Sequence, residues 1–185
     1  MALLAISILA FALIHLIPAV PPVKARFQQR FGRAYGPVFG IAATLSLVLI
    51  VVGWRAAGYV AVYDPPMQGR QVTVGLLLLS FLCLGVFLFR GRLRQLLRFP
   101  LAIAVMLWGV GHLFANGDLA SLILFGGLSA YAAAHFGFGR AYGMAPSRDV
   151  RSGHDVVSLI AGLALYIAMV QLHPILIGVP VASLP

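Results

Sequence analysis

The amino-acid sequence predicts an all-α fold, a polytopic transmembrane bundle of about six helices. Three observations carry this: repeated apolar runs of membrane-spanning length, a near absence of acidic residues, and basic residues gathered into alternate connectors. Hydrophobic residues make up 62% of the 185-residue chain and charged residues 9%, which leaves too little polar surface to cover a soluble core. The only acids are Asp64, Asp118, Asp149 and Asp155, and glutamate is absent. Residues 1–185 read as a single transmembrane domain.

The first apolar run, about 2–19, lacks the basic leader of a cleaved signal and is expected to remain as a helix. Pro18, Pro21 and Pro22 are expected to end it, ahead of a connector carrying Lys24, Arg26, Arg30 and Arg33. The second run covers about 37–54 and the third about 72–89, followed by Arg90, Arg92, Arg94 and Arg98. Pro100 opens the fourth run, about 100–115, because its fixed φ suits a first helical turn. Asn116-Gly117-Asp118 reads as a tight turn into the fifth run, about 119–138. Arg140, Arg148 and Arg151 precede the sixth, about 156–179, for which Ser152 or Asp155 is the expected N-cap.

Connectors one, three and five hold eleven of the 13 Lys and Arg residues. By the positive-inside bias these face the cytoplasm, and both termini face the opposite side. Trp54, Tyr59 and Tyr63 of connector two fit an interfacial aromatic belt on that opposite side. The net charge of +9 therefore serves topology rather than nucleic-acid binding. The lone Cys83, inside an apolar run, excludes an intramolecular disulfide. Gly126-Gly127 and Gly137-x-Gly139 follow no strand and precede no phosphate-binding lysine, so they are read as close helix packing.

Five histidines punctuate the apolar runs: His15, His112, His135, His154 and His173. Polar groups in lipid face the bundle interior, where an imidazole either hydrogen-bonds a carbonyl or ligates a metal, haem iron included. His112 stands out. Gly109 and Gly111 strip side chains from the helix before it, for a flat ring or a neighbouring helix, and Asn116 lies one turn on, placed to orient the imidazole. Zinc-type ligand spacing, an intrahelical carboxylate pair and a nucleophile elbow are all absent. Transport is disfavoured, since no run carries a buried charge of the coupling type.

The stretch Leu107-Trp108-x-x-x-His112-Leu113-x-x-Asn116-Gly117-Asp118-x-x-Ser121, continuing into Leu124-Phe125-Gly126-Gly127, resembles the NnrU family of bacterial membrane proteins. His15-x-x-Pro18, the basic connector from Pro22 to Gly36, and His173 with Gly178 resemble it too. The resemblance implies a multi-pass protein of the bacterial inner membrane, both termini periplasmic, and an association with nitric oxide and nitrite metabolism. It also implies kinship with the plant 15-cis-zeta-carotene isomerase, a membrane enzyme using haem b. On that kinship His15 and His112 are the axial ligands, and a hydrophobic polyene or related lipid is the substrate class for a cis–trans isomerisation. Two positions depart from the isomerase pattern: Gly109 stands where it has a cysteine, and Arg98-Phe99-Pro100 replaces Arg-His-Pro. His15 lies ~8 Å and His112 ~18 Å from the cytoplasmic ends of their helices at ~1.5 Å per residue. His135 is nearer His15 in depth and is the alternative ligand.

Overall fold

Six apolar runs fold into six helices that alternate in direction along the chain, in a computed structural model that describes residues 1–181. They are α1 (Ala2–Leu16, continued by a 3-10 turn to Ala19), α3 (Tyr35–Arg55), α4 (Gly69–Leu88), α6 (Pro100–Leu113), the continuous helix Leu119–Ala141, and α9 (His154–Ile177). Within Leu119–Ala141, α7 (Leu119–Ser121) passes through a π-helical turn, Leu122–Gly126, into α8 (Gly127–Ala141). Five of these helices are long and apolar enough to cross a membrane, and Pro100–Leu113 is the shorter sixth. The C-terminus, expected on the far side, lies outside the described residues.

Two connectors contain helices that the basic composition concealed: α2 (Pro21–Phe31) and α5 (Arg92–Leu97). Pro21 and Pro22, read as terminators, occupy the first turn of α2, where a missing N–H leaves no bond unmade. The expected cap of α9 is also corrected. Gly153 holds the N-cap position without a side-chain bond, while Asp155 accepts from the backbone N–H groups of Arg92 (3.1 Å) and Leu93 (2.9 Å), capping α5 instead.

Connectors pair by end. Val62 and Tyr63 donate backbone N–H bonds to the Gly117 carbonyl (2.9 and 3.0 Å), and Leu119 donates to Val60 (2.8 Å), so connectors two and four share one end. Arg90 pairs with Asp149 (2.9 Å) and Arg98 donates to the Met144 carbonyl (2.7 Å), placing connectors three and five at the other. Gly53 meets the Leu4 backbone and Phe39 meets His15, so α1 and α3 are antiparallel and connector one joins the basic end.

Inside the bundle, Leu4, Ile8, Ile50 and Ala120 form the core, with Phe11, Trp54, Ile123 and Leu124 against it. Thr73 donates to the Gly111 carbonyl (2.7 Å) and Ser80 to that of Ala104 (2.7 Å), tying α4 to α6 where water cannot serve. Gly85 of α4 faces Ser158 and Gly162 of α9 at backbone contact, the close approach that small residues permit. Of the glycines read as packing sites, Gly127 meets Ile8 and Gly139 meets the Phe99 ring, while Gly126 and Gly137 face open space. Large apolar side chains such as Ile6, Leu13, Ile41, Ile160 and Ile175 point outward, a surface suited to lipid.

Candidate functional site

Each of three helices places an aromatic residue one turn before a histidine: Phe11 before His15, Trp108 before His112 and Tyr131 before His135. The i,i+4 spacing sets both rings on one helix face. His15, in the last turn of α1, has Nδ1 2.8 Å from the Phe11 carbonyl oxygen. A carbonyl only accepts, so Nδ1 carries the proton and Nε2 presents a lone pair, the arrangement that metal-ligating histidines use. The ring stacks on Phe11 with centroids 3.8 Å apart and meets Phe39 of α3 (5.9 Å) and Tyr131 of α8 (6.1 Å) edge-on.

Tyr131 also lies 6.1 Å from His135, ring to ring. Thus α1 and α8 bring the His15 and His135 rings each within 6.1 Å of Tyr131, with Phe11 and Phe39 beside His15.

His112 occupies a different place. Its Nδ1 is 2.8 Å from the Trp108 carbonyl, its ring stacks on Phe125 at 4.3 Å and 14°, and Trp108 covers it at 4.9 Å. Phe125 is carried by the π-helical turn, an irregularity that re-aims a side chain within a helix. Asn116 does not reach the imidazole. Its amide donates to the backbone carbonyl of His112 (2.8 Å), which also accepts the Ala115 N–H (3.0 Å) at the end of α6. Tyr63 donates to the Leu113 carbonyl and to that of Asn116 (2.8 Å) and closes the same helix end. Burial and the nearby Asp118 carboxylate push the Tyr63 phenol up, so it keeps this donor proton at neutral pH.

The glycines before His112 form no slot. A Cβ on Gly109 would lie 2.6 Å from the Phe125 carbonyl oxygen, and one on Gly111 would lie 2.8 Å from Leu77, so neighbouring helices occupy that space. The remaining histidines bind connectors. His154 Nδ1 accepts from the Arg90 N–H (3.2 Å), and His173 Nδ1 donates to the Val179 carbonyl (2.6 Å).

His15 and His112 lie against different neighbours. His15 packs beside Tyr131 and His112 beside Phe125, two positions on the same helix separated by ~9 Å along its axis. His15, with Nε2 bare, and His135, whose ring also lies at Tyr131, are donors of the type that would hold a haem iron. Among the described residues no cluster of three or more His, Cys, Asp or Glu side chains gathers for a metal ion.

The aromatic one turn before His15, His112 and His135 was visible in the sequence. Phe39 and Phe125 carried no such mark, since they reach the sites from other helices. A family model described as NnrU protein matches residues 3–181. None of the curated proteins and none of the solved structures matches the chain.

Proposed function

The chain belongs to the NnrU protein family, and on that premise we propose that it is a multi-pass protein of the bacterial inner membrane that binds haem b through His15 and His135. The observation that carries this reading is the pair of imidazoles at Tyr131, one of them fixed in the ligand tautomer. The Phe11 carbonyl holds the His15 ring in orientation, and Phe11, Phe39 and Tyr131 exclude water from around it. Haem b, when bound, supplies an iron that exchanges one electron and can draw π-density from a conjugated ligand. Titrating haem into detergent-purified protein is expected to give a one-to-one Soret band, and a flat titration contradicts the reading.

A second reading is favoured by the closed packing about His112 and by small cavities. The grooves beside Tyr166 and beside Phe39 hold about 220 and 120 Å3, below the ~300–1,000 Å3 of most small-molecule pockets. In that reading the protein is a non-catalytic membrane factor associated with nitric oxide or nitrite metabolism, acting through partner contacts.

Orientation belongs to the same proposal: the charge split assigns the basic end to the cytoplasm and both termini to the periplasm. A phosphatase fused to the C-terminus is expected to be active, and a fluorescent reporter that matures only in the cytoplasm to be dark. The reverse pattern contradicts the assignment.

A further inference from the structure

At the basic end, α1, α2 and α3 enclose an apolar groove of about 120 Å3, lined by Ile14, Ile17, Phe27, Phe31, Tyr35 and Phe39 among others. Phe27 and Phe31 stack on one face of α2 at 6.1 Å, while Arg26 and Arg30 recur at helical spacing on the adjoining face and Arg33 follows in the next turn. α2 buries none of its residues fully, the character of a helix lying in an interface plane. The cations around it lack counterions: no acid precedes Asp64 in the sequence, and the ion pairs among the described residues join Arg90 and Arg151 to Asp149. Tyr35, a lining residue, has its hydroxyl shielded from solvent without a hydrogen-bond partner among the described residues. A buried donor in an apolar groove calls for an acceptor from outside the chain.

We propose that this groove binds one anionic glycerophospholipid, with an acyl chain along Phe27, Phe31 and Ile14, the phosphate on Arg26 and Arg30, and the Tyr35 hydroxyl donating to an ester carbonyl. Such a lipid supplies each missing element at once: negative charge at the interface, an acceptor just below it, and a hydrocarbon chain deeper still. The chain beyond the groove continues into the bilayer. This site is independent of the histidine reading, although Phe39 touches both the groove and His15.

The test is native mass spectrometry of the full chain released from detergent, mixed with dioleoylphosphatidylglycerol or with dioleoylphosphatidylcholine. The anionic lipid is expected to remain bound one-to-one, about tenfold better than the zwitterionic one. The double variant Arg26→Gln/Arg30→Gln is expected to lose roughly tenfold or more of that retention, at about fivefold per basic residue near a charged headgroup. Tyr35→Phe is expected to weaken both lipids about threefold to tenfold, because both carry ester carbonyls. Helicity and monodispersity matching wild type show that the variants are folded. Equal retention of the two lipids by wild type overturns the proposal without any variant, and so does undiminished retention by the folded double variant.

Discussion

Gly162→Leu is expected to separate α9 from the rest of the bundle. A Cβ at this position would lie 2.6 Å from the Phe81 carbonyl oxygen and 2.9 Å from the Leu82 Cα, both backbone atoms that cannot rotate aside. Across the interface Gly85 is equally constrained, with Gly162 Cα 2.9 Å from its own ideal Cβ. Between lipid-embedded helices the driving force is close packing rather than water release, so moving the axes apart removes most of what joins them. Overpacking costs about 1–3 kcal/mol in a deformable core, and backbone-on-backbone obstruction belongs at the upper end, about 3 kcal/mol. The loss should appear as a lower unfolding midpoint in denaturing detergent and faster proteolysis between α8 and α9. Gly137→Ala is the contrasting change. Nothing lies within 4 Å of its Cβ, so better helix propensity should leave stability unchanged or raise it by about 0.5–1 kcal/mol. Equal loss in both variants would contradict the packing account.

Gly109→Cys is expected to destabilise the protein rather than to confer polyene isomerisation. On the resemblance drawn from the sequence, the plant isomerase has a cysteine at this position, which would offer a sulfur ligand to an iron at His112. In this chain the position faces Ser129 and the Phe125 carbonyl, the latter 2.6 Å from any Cβ. The helix carrying Phe125 would have to withdraw, dragging that ring off His112, at a cost of about 2–3 kcal/mol. Carotenoid-producing cells lacking their own isomerase provide the assay, with the 15-cis isomer measured in the dark. Neither wild type nor the variant should convert it efficiently, and the variant should accumulate to a lower level. Efficient dark conversion by wild type, or a stable and active Gly109→Cys, would contradict this view.

Most of the bundle was legible because lipid demands long apolar helices and topology demands alternating charge, and both leave marks in composition. α2 and α5 were not, since their polarity matches a loop and only the spacing of Phe27 with Phe31 betrays an amphipathic helix. Asn116 illustrates a different limit. At i+4 it can reach either the ring or the carbonyl of His112, and the carbonyl wins because the helix ends there while the ring is already satisfied by Trp108. Asp155 shows the same competition between a near terminus and a distant one, resolved by where α5 folds against α9. The pairing of histidines depended on which helices become neighbours. Their depths were readable from residue counts, and those counts already set His15 nearer His135 than His112.

The absorption spectrum of the purified protein, oxidised and then reduced, tests the haem site most directly when wild type is compared with His15→Ala, His135→Ala and His112→Ala. Wild type and His112→Ala should show a Soret band with sharp low-spin reduced bands, which His15→Ala and His135→Ala should each abolish or convert to a high-spin form. Loss in His112→Ala with a normal spectrum in His135→Ala would contradict the site at Tyr131, as would a wild-type protein that takes up no haem on reconstitution.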